Sequence, residues 1–211
     1  SRLTETPAAA GADPADPSRA RRGEEAAWYR QKMGERLAFA VSLIAVLLLG
    51  VTAGAMLAEA AILVPYWRSL APADFFDWYA AHAPLLVDFY SPLEVVSTVA
   101  ALACAGLYSA QSRPGASLWW VAAVLSIAVL GTFFVFFKEA NEGFSSRSIA
   151  DGSLPAALES WAAWQWGRVI IGMSAFAAGV LAIRAEGNTC LDSNPSVAQQ
   201  PIRNVRPWST R

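Results

Sequence analysis

The chain has 211 residues, of which 55% are hydrophobic and only 16% are charged. Soluble domains carry about 25% charged residues, so this composition favours a membrane protein over a soluble domain. The formal net charge of −1 excludes the strongly basic surface that nucleic-acid binding requires. One histidine, His82, and two cysteines exclude the common zinc sites, which use about four His or Cys ligands.

The N-terminal segment, residues 1–25, is rich in Ala, Pro and charge, and it has no large apolar residue after Leu3. This composition predicts a disordered tail. Residues 26–36 read AAWYRQKMGER and predict a short amphipathic helix that leads directly into the first membrane span.

Four apolar segments follow, each near the 20 residues or so that an α-helix needs to cross a hydrocarbon core. They cover residues 37–64, 92–110, 118–137 and 160–183. None shows the polar stripe of a helix in a soluble core. We therefore predict an all-α fold, a four-helix transmembrane bundle with up-down topology. Residues 184–211 are polar and contain Pro, which predicts a disordered C-terminal tail without a site.

The distribution of Lys and Arg predicts the orientation of the bundle. The two tails, the segment before the first span and the loop between spans 2 and 3 hold all sixteen Lys and Arg residues except Arg68, Lys138, Arg147 and Arg168. This excess predicts that both termini are cytoplasmic, and we expect a multi-pass protein of a bacterial inner membrane. Residues 66–91 and 138–159 are then outer loops, with Trp, Tyr and His82 near the membrane boundary.

Five polar side chains are predicted in the outer third of the bundle: Glu59, Glu94, Asn141, Gln165 and Arg168. Trp161, Gln165 and Arg168 have the spacing i, i+4, i+7 and share one face of a helix. Ionisable residues in transmembrane segments normally face the bundle interior. We therefore expect Glu59, Glu94 and Arg168 to point at one another or into a wet cavity. The same groups could serve only to hold the helices together, and both interpretations remain open.

The inner halves of the spans contain no charged residue. An ion or proton path needs polar groups across the whole bilayer, so a channel or pump is disfavoured.

Four short motifs suggest a family: GAMLAEAAILVPYWRSL, DFYSPLE, KEANEG and ESWAAWQWGR. Over residues 40–183 the chain resembles the small four-helix membrane family that includes the anthrone oxygenases. The matching features are a proline after helix 1, an aromatic-and-proline entry to helix 2, an Asn after helix 3 and a Trp-to-Arg opening of helix 4. Here these are Pro65, Tyr90 with Pro92, Asn141, and Trp161 with Arg168. Gln165 stands where the family has His or Asn, which argues against a histidine-based mechanism.

The resemblance implies a cofactor-free oxygenation of a lipophilic aromatic substrate in an outward-facing polar pocket. The expected catalytic residues are Glu59 or Glu94 as the base, with Arg168 stabilising the enolate oxygen. Asn141, Trp161 and Gln165 are the expected substrate-binding residues. No metal ligand set is visible, because one His with scattered carboxylates is a poor iron or copper site.

A non-enzymatic function is the alternative that the sequence leaves open. The protein would then be an accessory subunit, or a binder of a quinone, pigment or lipid. The expected partners are the lipid bilayer, a lipophilic aromatic molecule and a further membrane protein, with no nucleic acid.

Overall fold

The computed structural model describes residues 17–192, with side chains described for residues 21–186. All of the secondary structure in this part of the chain is helical. The elements in chain order are α1 (Pro17–Ala58), a first π-helical turn (Glu59–Leu63), α2 (Val64–Ser69), α3 (Pro72–Ala110), α4 (Ala116–Thr132), a second π-helical turn (Phe133–Phe137), α5 (Lys138–Ser145), a 3₁₀ turn (Asp151–Ser153) and α6 (Leu154–Asp192).

Four continuous helical segments are long and apolar enough to cross a membrane: Arg21–Ser69, Pro72–Ala110, Ala116–Ser145 and Asp151–Glu186. The prediction of an all-helical protein with four such helices is confirmed, as expected of a multi-pass membrane protein. Each segment exceeds the predicted span, because the helix continues beyond its most apolar part.

The predicted outer loops, residues 66–91 and 138–159, are largely helical in the structure, so the loop prediction was wrong. Helix α3 begins at Pro72 and runs through Pro84 and Pro92. Proline lacks the backbone N–H that an α-helix needs at interior positions, yet packing against neighbouring helices allows such residues within long membrane helices. The lower hydropathy of this stretch therefore marked a polar helix end.

Both predicted tails are helical where the structure describes them. Helix α1 begins at Pro17, before the helix predicted from residue 26, and α6 ends at Asp192, beyond the predicted end of the fourth span. The rest of the two predicted tails, residues 1–16 and 193–211, lies outside the described part of the chain.

The chain divides after Ala38 into an N-terminal unit and a second unit that begins at Phe39. In the N-terminal unit, Trp28 and Tyr29 are exposed, and the Lys32 ammonium lies 4.3 Å from the centre of the Trp28 ring. Gln31 donates a hydrogen bond to Glu35 one turn away, at 3.2 Å. Both of these contacts are local ones between neighbouring turns of one helix.

A buried polar network joins three helices of the second unit. The Tyr108 hydroxyl of α3 donates to Glu186 of α6 at 2.6 Å and lies 2.8 Å from the Ser42 hydroxyl of α1. Arg113, in the turn before α4, forms an ion pair with Glu186 and lies over the Tyr108 ring. Gly115 follows with φ +89°, and a Cβ there would lie 2.6 Å from the Ala182 carbonyl oxygen. These contacts fix the α3–α4 turn against α6.

An aromatic cluster holds α2, the start of α3, the second π-helical turn and α6 together. Trp67 is its centre, with a ring centroid 5.1 Å from that of Trp161 and 6.0 Å from that of Phe75. Trp161 in turn lies 5.1 Å from Phe137. Edge-to-face pairs at these separations add stability beyond area burial, so the cluster is a firm wall for the neighbouring site.

The first π-helical turn precedes a proline. Pro65 has no N–H to donate to the carbonyl of residue 61, and its ring would crowd that carbonyl in a regular α-helix. The helix widens instead, and the Val64 N–H bonds the carbonyl of Glu59. Glu59 is thus the first residue of the widened turn, a feature that often accompanies functional sites.

Candidate functional site

Four side chains from three helical segments form one continuous polar chain in the bundle interior. Gln165 of α6 donates to the Glu59 carboxylate at 2.8 Å and to the Met56 carbonyl at 3.1 Å. Arg168, one turn further along α6, donates to the side-chain carbonyl of Gln165 at 3.3 Å and forms an ion pair with Glu94 of α3. The order is therefore Glu59–Gln165–Arg168–Glu94, and we call it the polar cluster.

The polar cluster is almost completely removed from the surface. Glu59 and Glu94 are each 6% exposed, Arg168 is 7% exposed and Gln165 is not exposed at all. Buried charges are tolerated only when they are paired and hydrogen-bonded. The Arg168 guanidinium is ion-paired with Glu94, whereas the Glu59 carboxylate is hydrogen-bonded by the neutral Gln165 amide.

Phe137 covers one side of Arg168. The guanidinium carbon lies 4.6 Å from the centre of the Phe137 ring, which is within the range of a cation–π interaction. The Arg168 Nε–H has no hydrogen-bond partner among the described residues. Phe137 ends the second π-helical turn and Glu59 begins the first, so both widened turns contribute a contact around the polar cluster.

Asn141 and Trp161 form a separate pair beside the polar cluster. The Trp161 indole N–H donates to the Asn141 side-chain carbonyl at 3.1 Å. The Asn141 side-chain NH₂ takes no part in this hydrogen bond. The sequence therefore predicted six site residues that the structure brings to one region, arranged as a chain of four and a pair.

A cleft of about 1080 Å³ lies directly over the polar cluster and the Asn141–Trp161 pair. One wall is a stripe along α3: Tyr79, Ala83, Leu86, Val87, Tyr90, Ser91, Glu94 and Val95. The facing wall runs from α4 through the second π-helical turn into α5: Leu130, Phe133, Phe134, Phe137, Lys138, Asn141, Glu142, Ser145 and Ser146. Four further residues complete it from α6 and the end of the first span: Glu59, Trp67, Trp161 and Arg168.

Gln165 does not line this cleft. It lies behind Glu59 and Arg168, where it orients both side chains, whereas the sequence predicts it as a residue that binds substrate. The other five predicted site residues all border the cleft. Full burial of an amide whose donor and acceptor are both used is typical of a positioning residue.

The sequence analysis did not select several cleft residues, notably Trp67, Tyr79, Tyr90 and Lys138. Tyr90 entered the sequence analysis only through the family resemblance and Lys138 only through the charge distribution, because a polar or aromatic residue at a helix end has no distinctive spacing of its own. In the structure the Tyr90 hydroxyl donates to the Ala55 carbonyl at 3.2 Å. The buried Trp67 indole N–H has no acceptor among the described residues.

A second, much smaller cavity of about 20 Å³ lies on the far side of Glu94. Its polar lining is made of hydroxyls, and the Thr52 and Ser97 oxygens are 2.7 Å apart across the α1–α3 interface. Thr98 and Ser126 each donate to a carbonyl of their own helix. This space is near the minimum for one water molecule, and it extends the polar region to the side of Glu94 away from the cleft.

Within residues 21–186, no three His, Cys, Asp or Glu side chains come close enough to hold a metal ion. His82 lies in α3, with its ring stacked 4.4 Å from that of Trp78 and its Nδ1 2.7 Å from the Trp78 carbonyl oxygen. It does not border the cleft. The side chains at the cleft floor thus offer carboxylates, a guanidinium and aromatic faces.

Comparison of the chain with models of known protein families, with curated proteins and with solved structures finds no match.

Proposed function

We propose that this protein binds a lipophilic aromatic molecule in the cleft and oxygenates it with dioxygen, without a cofactor. The observation that carries the proposal is the cleft itself. Its walls are mostly aromatic and aliphatic, its floor holds two carboxylates and an arginine, and its helices are long and apolar enough to lie in a membrane. Sites for small molecules typically combine a mostly apolar pocket with a few convergent polar groups.

Glu59 is the proposed base. Its carboxylate accepts one hydrogen bond, from Gln165, and it borders the cleft. Glu94 also borders the cleft but is ion-paired with Arg168, so its negative charge is already neutralised by a direct contact. A carboxylate that is oriented but not ion-paired is the better acceptor for a proton from a bound molecule.

Arg168 is the proposed electrostatic stabiliser. Removing a proton from a CH₂ group that is conjugated with a ketone through aromatic rings places negative charge on the ketone oxygen, and fixed donors in a dry site stabilise such charge strongly. Glu94, Gln165 and Phe137 hold the guanidinium in place. The side-chain NH₂ of Asn141 is a second donor at the cleft wall, and Trp161 offers a flat surface for an aromatic ring.

The proposed reaction converts a CH₂ group between two aromatic rings into a carbonyl. Glu59 accepts one proton, and the resulting carbanion adds dioxygen at carbon, which reduces dioxygen to a bound peroxide. Loss of the second hydrogen as a proton and cleavage of the O–O bond then give the carbonyl and one water molecule. The substrate supplies both hydrogens and all four electrons, so no external reductant is needed.

The test is dioxygen consumption by the purified protein in lipid vesicles, with anthrone, a three-ring ketone, as the probe. Glu59→Gln keeps the shape and the Gln165 contact but removes the base, so we expect turnover to fall by about 10²- to 10⁴-fold, the usual contribution of a general base. Glu139→Gln is the matched control, since Glu139 is exposed and does not border the cleft. Equal rates in both variants would remove Glu59 from the mechanism.

A second candidate function is binding without catalysis, of a quinone, pigment or lipid, or assembly with another membrane protein. One observation favours it: Arg168 already has Glu94 and Gln165 as partners, which also suits a purely structural contact between helices. Mass spectrometry of molecules that co-purify in mild detergent separates the two. A bound aromatic ketone with an oxidisable CH₂ group, together with dioxygen consumption, supports the oxygenase. A bound quinone, pigment or lipid, or a protein subunit, without any dioxygen consumption, supports the alternative.

We also propose the up-down arrangement with both termini cytoplasmic, in the inner membrane of a bacterium. The support is the excess of Lys and Arg in the tails and in the loop between the second and third spans. In that orientation the cleft lies in the outer part of the bilayer.

A further inference from the structure

The cleft is long, and its two walls run beside each other. The α3 wall extends from Tyr79 to Val95, about 24 Å at 1.5 Å per residue. Its lining residues recur at helical spacing, so they form one stripe along α3. The facing wall, from Leu130 to Ser146, has the same length.

The two ends of the cleft differ in polarity. Tyr79 lies against Phe144, with ring centroids 5.3 Å apart, so this end belongs with the polar residues of α5. Glu94 borders the same small cavity as Ser126 and Val129 of α4, so it belongs to the opposite, deep end. Glu94 therefore lies at the end of the cleft away from Tyr79, close to the apolar part of α4.

Along the middle and the deep end of the cleft, three apolar side chains line it and are also exposed on the outer surface of the bundle. Val87 is 53% exposed, Val95 is 48% exposed and Phe134 is 76% exposed. Val87 and Val95 belong to α3, and Phe134 to the second π-helical turn opposite. All three lie inside helices long and apolar enough to span a membrane, so the surface they share is one that meets lipid chains.

We infer that the cleft opens sideways to the hydrocarbon layer, between Val87 and Val95 on one side and Phe134 on the other, and that its ligand enters from the membrane. This inference rests on the proposed binding of a lipophilic molecule, and it adds the route and a requirement on the ligand. The ligand must partition into lipid, and part of it can remain between the helices while its polar group reaches Arg168.

The volume agrees with such a ligand. Pockets that enclose a drug-sized molecule measure about 300–1000 Å³, and this cleft, at about 1080 Å³, lies just beyond that range. A compact three-ring molecule would fill only part of it. An aromatic head with an apolar extension uses both the polar cluster and the lateral opening.

The test is photolabelling of the full-length protein in phosphatidylcholine vesicles with trifluoromethyl-phenyl-diazirine, an apolar aromatic probe that partitions into lipid. Phe137 and Trp161 are buried but line the cleft, so adducts on them report entry. Val95→Trp should reduce these adducts several-fold, because the indole fills the opening. Val99→Trp is the matched control, one turn further along α3, 58% exposed and not part of the cleft.

Equal labelling of Phe137 and Trp161 in both variants would overturn lateral entry, since the probe would then arrive through the end of the cleft at Tyr79. Phe134→Ala, which widens the opening, should raise the labelling, whereas Val135→Ala at an exposed position outside the cleft should not. Labelling requires no turnover. If the unsubstituted protein consumes no dioxygen but Val95→Trp reduces labelling as expected, the oxygenase alone is refuted. If the unsubstituted protein consumes dioxygen but Val95→Trp leaves labelling unchanged, lateral entry alone is refuted.

Discussion

The buried ion pair between Arg168 and Glu94 provides the sharpest test of the structure. Arg168→Met removes the guanidinium and leaves Glu94, 6% exposed, without its charged partner. Removing one member of a buried pair costs about 3–5 kcal/mol. The free energy of unfolding should fall by that amount, which is a factor of at least about 100 in the folded-to-unfolded ratio.

The chain contains its own control for this substitution. Arg147 and Asp77 form an ion pair whose side chains are 49% and 70% exposed. Exposed pairs contribute at most about 1 kcal/mol, so Asp77→Asn should change stability by no more than that. The two pairs use the same chemical groups and differ in burial, which isolates the effect of the interior.

The assay is reversible unfolding in mixed detergent micelles, followed by circular dichroism, for Arg168→Met, Glu94→Gln and the double variant. The two residues are in direct contact, so the double variant should lose less stability than the two single losses added together. The reasoning would be refuted if Arg168→Met cost no more than Asp77→Asn, or if the single losses were additive within about 0.5 kcal/mol.

Three further substitutions test other contacts by the same unfolding assay. Gly115→Ala should lower the free energy of unfolding by about 1–3 kcal/mol, because φ is +89° and the new Cβ would meet a backbone carbonyl. Gly131→Ala, whose new Cβ meets nothing within 4 Å, should be neutral or stabilising, and equal effects of the two substitutions would contradict this. Tyr108→Phe should lower the free energy of unfolding by about 1–3 kcal/mol, because it removes a hydroxyl that contacts both Ser42 and Glu186. An unchanged unfolding midpoint would show that these two hydrogen bonds do not stabilise the fold. Trp161→Phe should lower the free energy of unfolding by about 1 kcal/mol, because it removes the hydrogen bond to Asn141. Trp164 is exposed and has no described hydrogen bond, so Trp164→Phe should lower it less.

Sequence periodicity was sufficient to place Trp161, Gln165 and Arg168 on one helix face. Helical spacing is a local property, and the cost of burying charge in an apolar segment makes an inward direction the natural expectation. The same reasoning required Glu59 and Glu94 to face that helix. The structure brings all of them together, whereas their chemical roles remain predictions.

The sequence misassigned residues 66–91 and 138–159, and for a local reason. Both stretches mix charge, proline and aromatic residues, a composition that is common in loops and equally common at polar helix ends. Only the aromatic cluster around Trp67 shows that these residues are packed as helix. The packing partners come from distant parts of the chain, so no local pattern could have revealed them.

The sequence by itself determined that the protein has four long apolar helices, and it predicted that their few charged residues face one another. Hydropathy and helical spacing are sums over neighbouring residues, so one sequence is enough to read them. The tertiary structure decided how those charges connect, with Gln165 bridging Glu59 and Arg168 behind the cleft rather than inside it. It also decided that α3 and the second π-helical turn stand apart enough to leave a cleft, because the spacing of two helices depends on side chains far apart in the chain.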